Sequence, residues 1–217
     1  MVDVTAPPPG LEPAFTDAFL PAQPRAIALV LHGGAQTGAD PVDGRSLSWR
    51  RGRRLALDIA PALTAAGIGV ALLRYRVKGW NAEHGNDPAP VGDARWALDQ
   101  VRAQHDLPVA ILGHSMGART GVAVADHPSV LGVVGLAPWL PADEPIGPLR
   151  GKMLRVAHGR RDRITSARAT RQYVDRAGAI ADAEFTDMGR VGHYLLRQVG
   201  LWNAVAVAGV REVLAGE

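Results

Sequence analysis

From Ala26 onward the sequence alternates short, unbroken apolar runs with segments whose apolar residues recur at helical spacing. An apolar run with no polar alternation has no solvent-facing side, so it describes a strand covered on both faces. Ala26–Leu31 is the first such run, and it feeds a tight His32-Gly33-Gly34 turn. Leu55, Ala56, Ile59, Ala60, Leu63 and Ala66 then recur at helical spacing until Gly67 stops them. Further strands are predicted at Ile68–Leu73, Val109–Leu112, Leu131–Leu136 and Met153–Ala157, with a weaker one at Ala183–Thr186. Helices are predicted in the segment entered after Pro90, over Met116–Asp126, over Ser166–Ala177, and from Tyr194 to about Leu214. Doubly covered strands separated by helices leave one architecture: an α/β fold with a mostly parallel sheet flanked by helices on both faces.

Residues 1–24 break this rhythm. Pro7-Pro8-Pro9-Gly10 and the prolines that follow interrupt any periodicity, so the stretch reads as an extended leader that Phe15 and Phe19 tack to the body. Residues 25–217 read as one α/β domain, because no composition break divides them. A chain of 217 residues buries about 70% of its unfolded surface and needs no covalent staple.

Composition removes several kinds of chemistry. The chain has no cysteine, which excludes disulfides, iron–sulfur clusters, thiolate zinc sites and a catalytic thiol. Lys and Arg outnumber Asp and Glu by 24 to 21, a balance too mild to suggest a nucleic-acid partner. The densest basic run is Arg45, Arg50, Arg51, Arg53 and Arg54; it reads as a solvated helix face, with an anion-binding rim as the other reading. No apolar stretch approaches the roughly 18 residues of a membrane span. The N-terminus also lacks the basic start and apolar middle of a signal peptide, so a soluble, cytoplasmic protein is expected.

In open α/β sheets the reactive groups gather beyond the carboxyl ends of the strands. The strand Val109–Leu112 ends there in Gly113-His114-Ser115-Met116-Gly117, a G-x-S-x-G pattern with a strand before it and a helix after. Such a turn is too sharp for bulky flanking residues, hence the glycines. It lifts a serine hydroxyl clear of the sheet, beside a helix N-terminus that favours a developing oxyanion.

A serine needs a base to take its proton and a carboxylate to orient that base. Of the seven histidines, His32 and His114 lie inside glycine turns and suit packing roles; His127 suits a helix cap, and His105 ends a helix on the far side. His84 sits in a loop at the correct edge, where solvent exposure is its simpler explanation, and His158 ends a strand, where it suits holding the following turn. His193 remains, in a late loop after the last strand, from which a side chain can reach the elbow. Chain order Ser, acid, His then favours Asp162, with Asp143 or Glu144 as the rival position and Asp187 less well placed. The oxyanion donors expected are the N–H groups of Met116 and Gly34. No H-E-x-x-H or other metal spacing occurs, Gly113–Thr120 lacks the ending of a phosphate loop, and no cofactor is expected.

Taken together, Leu31-His32-Gly33-Gly34, Gly113-His114-Ser115-Met116-Gly117, His158-Gly159-Arg160-Arg161-Asp162 and Gly192-His193 resemble the α/β-hydrolase fold superfamily over about residues 25–217. The compact form is similar to its small dienelactone-hydrolase-like and carboxylesterase branch. Dienelactone hydrolases proper carry a cysteine nucleophile where this chain has Ser115, so the resemblance implies a serine esterase instead. It implies a Ser115–Asp162–His193 triad, an acyl-serine intermediate and a small soluble ester as substrate. A thioesterase, an amidase or peptidase, a perhydrolase and a non-catalytic binding protein are the alternatives. The family's first antiparallel strands read as missing or abbreviated. The segment from Ala137 to Gly151, where lids are often inserted, is too short for a helical cap, so an open cleft is expected. Trp80 and Trp139 are candidates for lining the acyl pocket, Trp49 less so, and Lys78, His84 and the arginine run could favour an anionic substrate.

Overall fold

The computed structural model describes residues 12–81 and 87–215. In chain order the strands are β1 (Ala14–Phe19), β2 (Ala26–Leu31), β3 (Ile68–Arg74), β4 (Val109–His114), β5 (Val130–Leu136), β6 (Met153–His158) and β7 (Asp182–Asp187). The helices are α1 (Leu47–Thr64), α2 (Ala89–His105), α3 (Met116–Ala123), α4 (Ala167–Ala177) and α5 (Val199–Ala215). All seven strands join one sheet in the order β1-β3-β2-β4-β5-β6-β7, parallel throughout except for the β1–β3 pair.

The two-residue period of a strand explains the layers. Ile27, Leu29 and Leu31 of β2 face one core with Ile111 of β4, and α2, α3 and α4 close it with Leu98, Met116 and Tyr173. Ala28 and Val30 face the opposite core with Leu112, closed by Ile59 and Leu63 of α1 and by Trp202 and Val210 of α5. Every residue of β2 and β4 is buried, which is why these strands read as continuous apolar runs.

Two local readings change. Residues 14–19, expected within an extended leader, form an edge strand antiparallel to β3. The Phe15 ring packs 5.5 Å from that of Trp96, so the expected tacking contact is part of a strand. The half-buried pattern of β1 is too weak to show as periodicity; its partner strand defines it. Helix α1 starts at Leu47, so Arg50, Arg51, Arg53 and Arg54 lie on its first turns, as the reading of that run as a helix face expects. Helix α5 starts at Val199 rather than near Tyr194. Leu195 and Gln198 both adopt positive φ, 58° and 55°, which no α-helix accommodates. The residues around His193 are therefore a shaped loop.

The chain leaves β2 for β3 on one side, then crosses back to β4 on the other. β2 and β4 are adjacent, with Leu31 paired to Gly113, so their carboxyl ends open side by side at the topological switch point. The segment between β5 and β6 holds only a 3-10 turn at Gly147–Leu149. Among the described residues no helix is long and apolar enough to cross a membrane.

Candidate active site

Ser115 occupies the sharp turn between β4 and α3 with φ 55° and ψ −118°, a conformation side-chain-bearing residues rarely adopt. Its surroundings hold it there. The Ser115 N–H donates to the Leu136 carbonyl, and its own carbonyl accepts from the N–H groups of Ala118 and Trp139, each at 3.1 Å. The flanking glycines are required by close approach. A Cβ on Gly113 would strike the Ala118 backbone, and one on Gly117 would strike the Leu31 carbonyl.

The structure brings Ser115, His193 and Asp162 together from three separate loops. His193 Nε2 lies 3.0 Å from Ser115 Oγ, and His193 Nδ1 lies 2.7 Å from Asp162 Oδ2. A carboxylate only accepts, so the imidazole proton sits on Nδ1 and Nε2 is free to accept from the serine hydroxyl. Ser115 and His193 are 7% and 6% exposed, enough burial to exclude bulk water from the hydrogen bonds between them.

Asp162 is anchored on every side. Its Oδ1 accepts from the N–H groups of Ile164 and Thr165 at 2.8 and 2.9 Å, and its Oδ2 also accepts from the Thr165 hydroxyl at 2.9 Å. Burial alone would raise its pKa, but hydrogen bonds from His158, His193 and the Thr165 and Ile164 amides outweigh it and hold the carboxyl well below the usual range. His158 was expected only to hold its turn. Its Nε2 in fact reaches Asp162 Oδ2 at 3.0 Å, while its Nδ1 meets the buried Thr170 hydroxyl at 3.0 Å. The spacing His158 to Asp162 was visible in sequence; the hydroxyls of Thr165 and Thr170 carried no sequence signal.

The solved structures that match share this arrangement of strands and helices. An α/β serine hydrolase homologue from Coxiella burnetii superposes with a TM-score of 0.66 at 16% identity, covering 89% of each chain. A lidless α/β serine hydrolase from Xanthomonas campestris matches at 0.62 and 21% identity, over 90% of this chain and 87% of that one. A thermophilic esterase from Thermogutta terrifontis, solved with propionate bound, matches at 0.66 and 15% identity over 95% and 94%. The chain has the α/β-hydrolase fold. No protein-family model and no curated protein matches it by sequence.

Within the α/β-hydrolase fold, Gly34 and Met116 follow the adjacent strands β2 and β4. Met116 opens α3, so its N–H has no intrahelical acceptor. Gly34 lies outside any helix or strand, and among the described residues its N–H makes no backbone hydrogen bond, whereas the Ala35 N–H is taken by the Lys78 carbonyl at 2.9 Å. A side chain at Gly34 would collide with the Met116 thioether and the Lys78 carbonyl.

The glycine-turn histidines are buried supports. His114 Nε2–H donates to the His193 carbonyl at 2.9 Å; burial and the neighbouring His193 push its pKa down to about 3. His32 Nδ1–H donates to the Gly33 carbonyl at 2.6 Å, and burial pushes its pKa down to about 4. Both are neutral near pH 7. His127 accepts from the Ser129 N–H at a turn after α3, His105 ends α2, and His84 lies outside the described residues.

Two of the three rival acids are engaged elsewhere. Glu144 pairs with Arg119 at 2.6 Å, Asp187 pairs with Arg160 at 2.6 Å, and Asp143 is exposed. Trp80 and Trp139 form an edge-on pair that clamps the Arg119 guanidinium, 4.3 and 4.4 Å from the two rings. Both pack on the core, Trp80 from a buried position and Trp139 from a partly buried one. A cavity of about 310 Å³ is lined by His193, Tyr194, Leu196 and three arginines. A larger one, about 670 Å³ around Lys152 and Gly178, contains none of the site residues.

Proposed function

We propose that the protein is a serine hydrolase that cleaves small carboxylic esters through an acyl-serine intermediate. The observation that carries this reading is the continuous hydrogen-bonded line from Ser115 Oγ through His193 to Asp162. His193 Nε2 takes the Ser115 proton as Oγ attacks the ester carbonyl. The N–H groups of Met116 and Gly34 receive the oxyanion, and His193 returns its proton to the departing alcohol oxygen. Water, deprotonated by the same nitrogen, then releases the acid. Asp162 stays ionised throughout and stabilises the imidazolium. Esterases among the similar structures, and the lack of anything longer than a 3-10 turn between β5 and β6, agree with a small substrate in an uncovered cleft.

Labelling with a fluorophosphonate probe tests the nucleophile, and a panel of ester, thioester and amide substrates tests the acyl chemistry. Wild type should be labelled at Ser115 and turn over short esters fastest. Ser115→Ala should abolish labelling and lower turnover by up to about 10⁶. An unlabelled wild type points to a binding protein on the same fold; faster thioester or amide cleavage reassigns the substrate.

A further inference from the structure

We infer that the cavity beside His193 is an anion-selective subsite for the alcohol part of the ester, so that the substrate is an ester whose alcohol carries a carboxylate. The inference rests on the serine-hydrolase reading and adds to it which end of the substrate is charged.

Position assigns the end. His193 Nε2 faces Ser115 Oγ, and the proton it takes there is delivered to the leaving oxygen. The leaving alcohol must therefore lie against the imidazole. His193 is itself a wall of the 310 Å³ cavity, although Ser115 is not, so the cavity lies next to the imidazole that serves the departing alcohol. The volume is at the small end for ligand sites, about that needed for one substituted ring.

Charge assigns the chemistry. Arg161, Arg190 and Arg197 line the cavity, and no Asp or Glu does. Arg51 adds a further guanidinium, 4.7 Å from the centre of the Tyr194 ring, which in turn packs edge-on against His193. Among the described residues none of these arginines has a carboxylate partner, whereas Arg53, Arg54, Arg119 and Arg155 elsewhere on the chain do. Arg51 is half-buried, and burial lowers its pKa; its charge is also felt at His114. Arg161, Arg190 and Arg197 are exposed, and Arg51, outside the cavity lining, is the partly desolvated one; a cation held so without a carboxylate partner favours an anion nearby. The net charge of the whole chain is only +3, so this concentration is local. Tyr194 and Leu196 supply apolar walls for the body of the alcohol, and the guanidinium groups receive its carboxylate.

The test compares 4-acetoxybenzoate with its methyl ester, which differs in charge with little change in shape, each rate being divided by that for hydroxide. The expected kcat/KM ratio, anionic over neutral, is about tenfold or more at low salt, and it should fall towards one at about 0.5 M salt. Arg197→Gln and Arg190→Gln should each lower the ratio by about threefold or more, mainly through KM, while Arg102→Gln, at the opposite edge of the sheet, should leave it as in wild type. A neutral ester turned over with a ratio near one and no salt dependence overturns the inference and leaves the hydrolase standing. A preference seen only between monophenyl succinate and phenyl butyrate, where the charge is on the acyl side, overturns the assignment to the alcohol. If neither ester reacts and Ser115 is not labelled, the hydrolase reading falls and takes this inference with it.

Discussion

His158 and His193 meet on one oxygen: their Nε2 and Nδ1 atoms lie 3.0 and 2.7 Å from Asp162 Oδ2. Asp162 thus divides its negative charge between two imidazoles, of which only His193 touches the serine. His158 is held in turn by Thr170, so the line of hydrogen bonds runs from α4 through the carboxylate to Ser115. His158 acts through Asp162 and is a positioning residue.

Replacing His158 with Leu, which has no donor, should lower kcat/KM by about ten- to a hundredfold, well short of the loss from Ser115→Ala. With one donor removed, Asp162 bears more charge towards His193 and raises the basicity of its imidazole. The acid limb of the kcat/KM profile should move to higher pH. A variant that loses activity with no movement of that limb would show that His158 only holds the turn.

Asp162→Asn should lower kcat by about 10⁴, because an amide can present N–H to Nδ1 and leave the proton on the nitrogen that faces Ser115. Single-turnover kinetics with a chromogenic ester measures this. Retention of more than a tenth of wild-type kcat would assign the orienting role elsewhere.

Gly117→Ala should cost more than about 3 kcal/mol, since the new Cβ would overlap the Leu31 carbonyl and force α3 away from β2. Gly44→Ala, where nothing lies within 4 Å, should change stability by less than about 1 kcal/mol. Urea unfolding of the two variants makes the comparison. Equal stabilities would mean that the elbow does not need its close approach.

His114 and His32 have pKa values of about 3 and about 4 in the folded protein, below the ordinary 6.5. The unfolded chain therefore binds more protons than the folded one between these limits, and stability rises with pH there. Their contribution is complete above about pH 6.5 and is lost as pH falls towards 4. Asp162, also depressed, adds a further loss below about pH 4. Thermal melts should show Tm falling from neutral to mildly acid pH, with a shallower slope in His114→Gln. A slope unchanged by that substitution would remove His114 as its source.

Much of the site was legible because its demands are local. The glycines at 113 and 117 are needed within one turn of Ser115, and the strand before them announces its burial by an unbroken apolar run. β1 was not legible as a strand: its hydrogen-bond partners lie in β3, about residues 70–74, and its own pattern is only half-buried. The start of α5 was misplaced because the positive φ values at Leu195 and Gln198 belong to residues that usually avoid them. His158 was read as a turn histidine because its second contact depends on where a carboxylate four residues away comes to rest.

The sequence by itself determined the layered α/β architecture, the strand-to-helix turn that displays Ser115, and the short candidate series from which base and acid had to come. Each of these follows from sterics and burial over a few neighbouring residues. Tertiary structure decided which groups meet. It set His193 between Ser115 and Asp162, engaged Glu144 with Arg119, placed His158 behind the carboxylate, and gathered Arg161, Arg190 and Arg197 around one cavity. Hydrogen bonds and charge pairs between distant segments depend on distances of a few ångströms, and only the packed sheet, with its loops converging at the carboxyl ends of its strands, sets those distances.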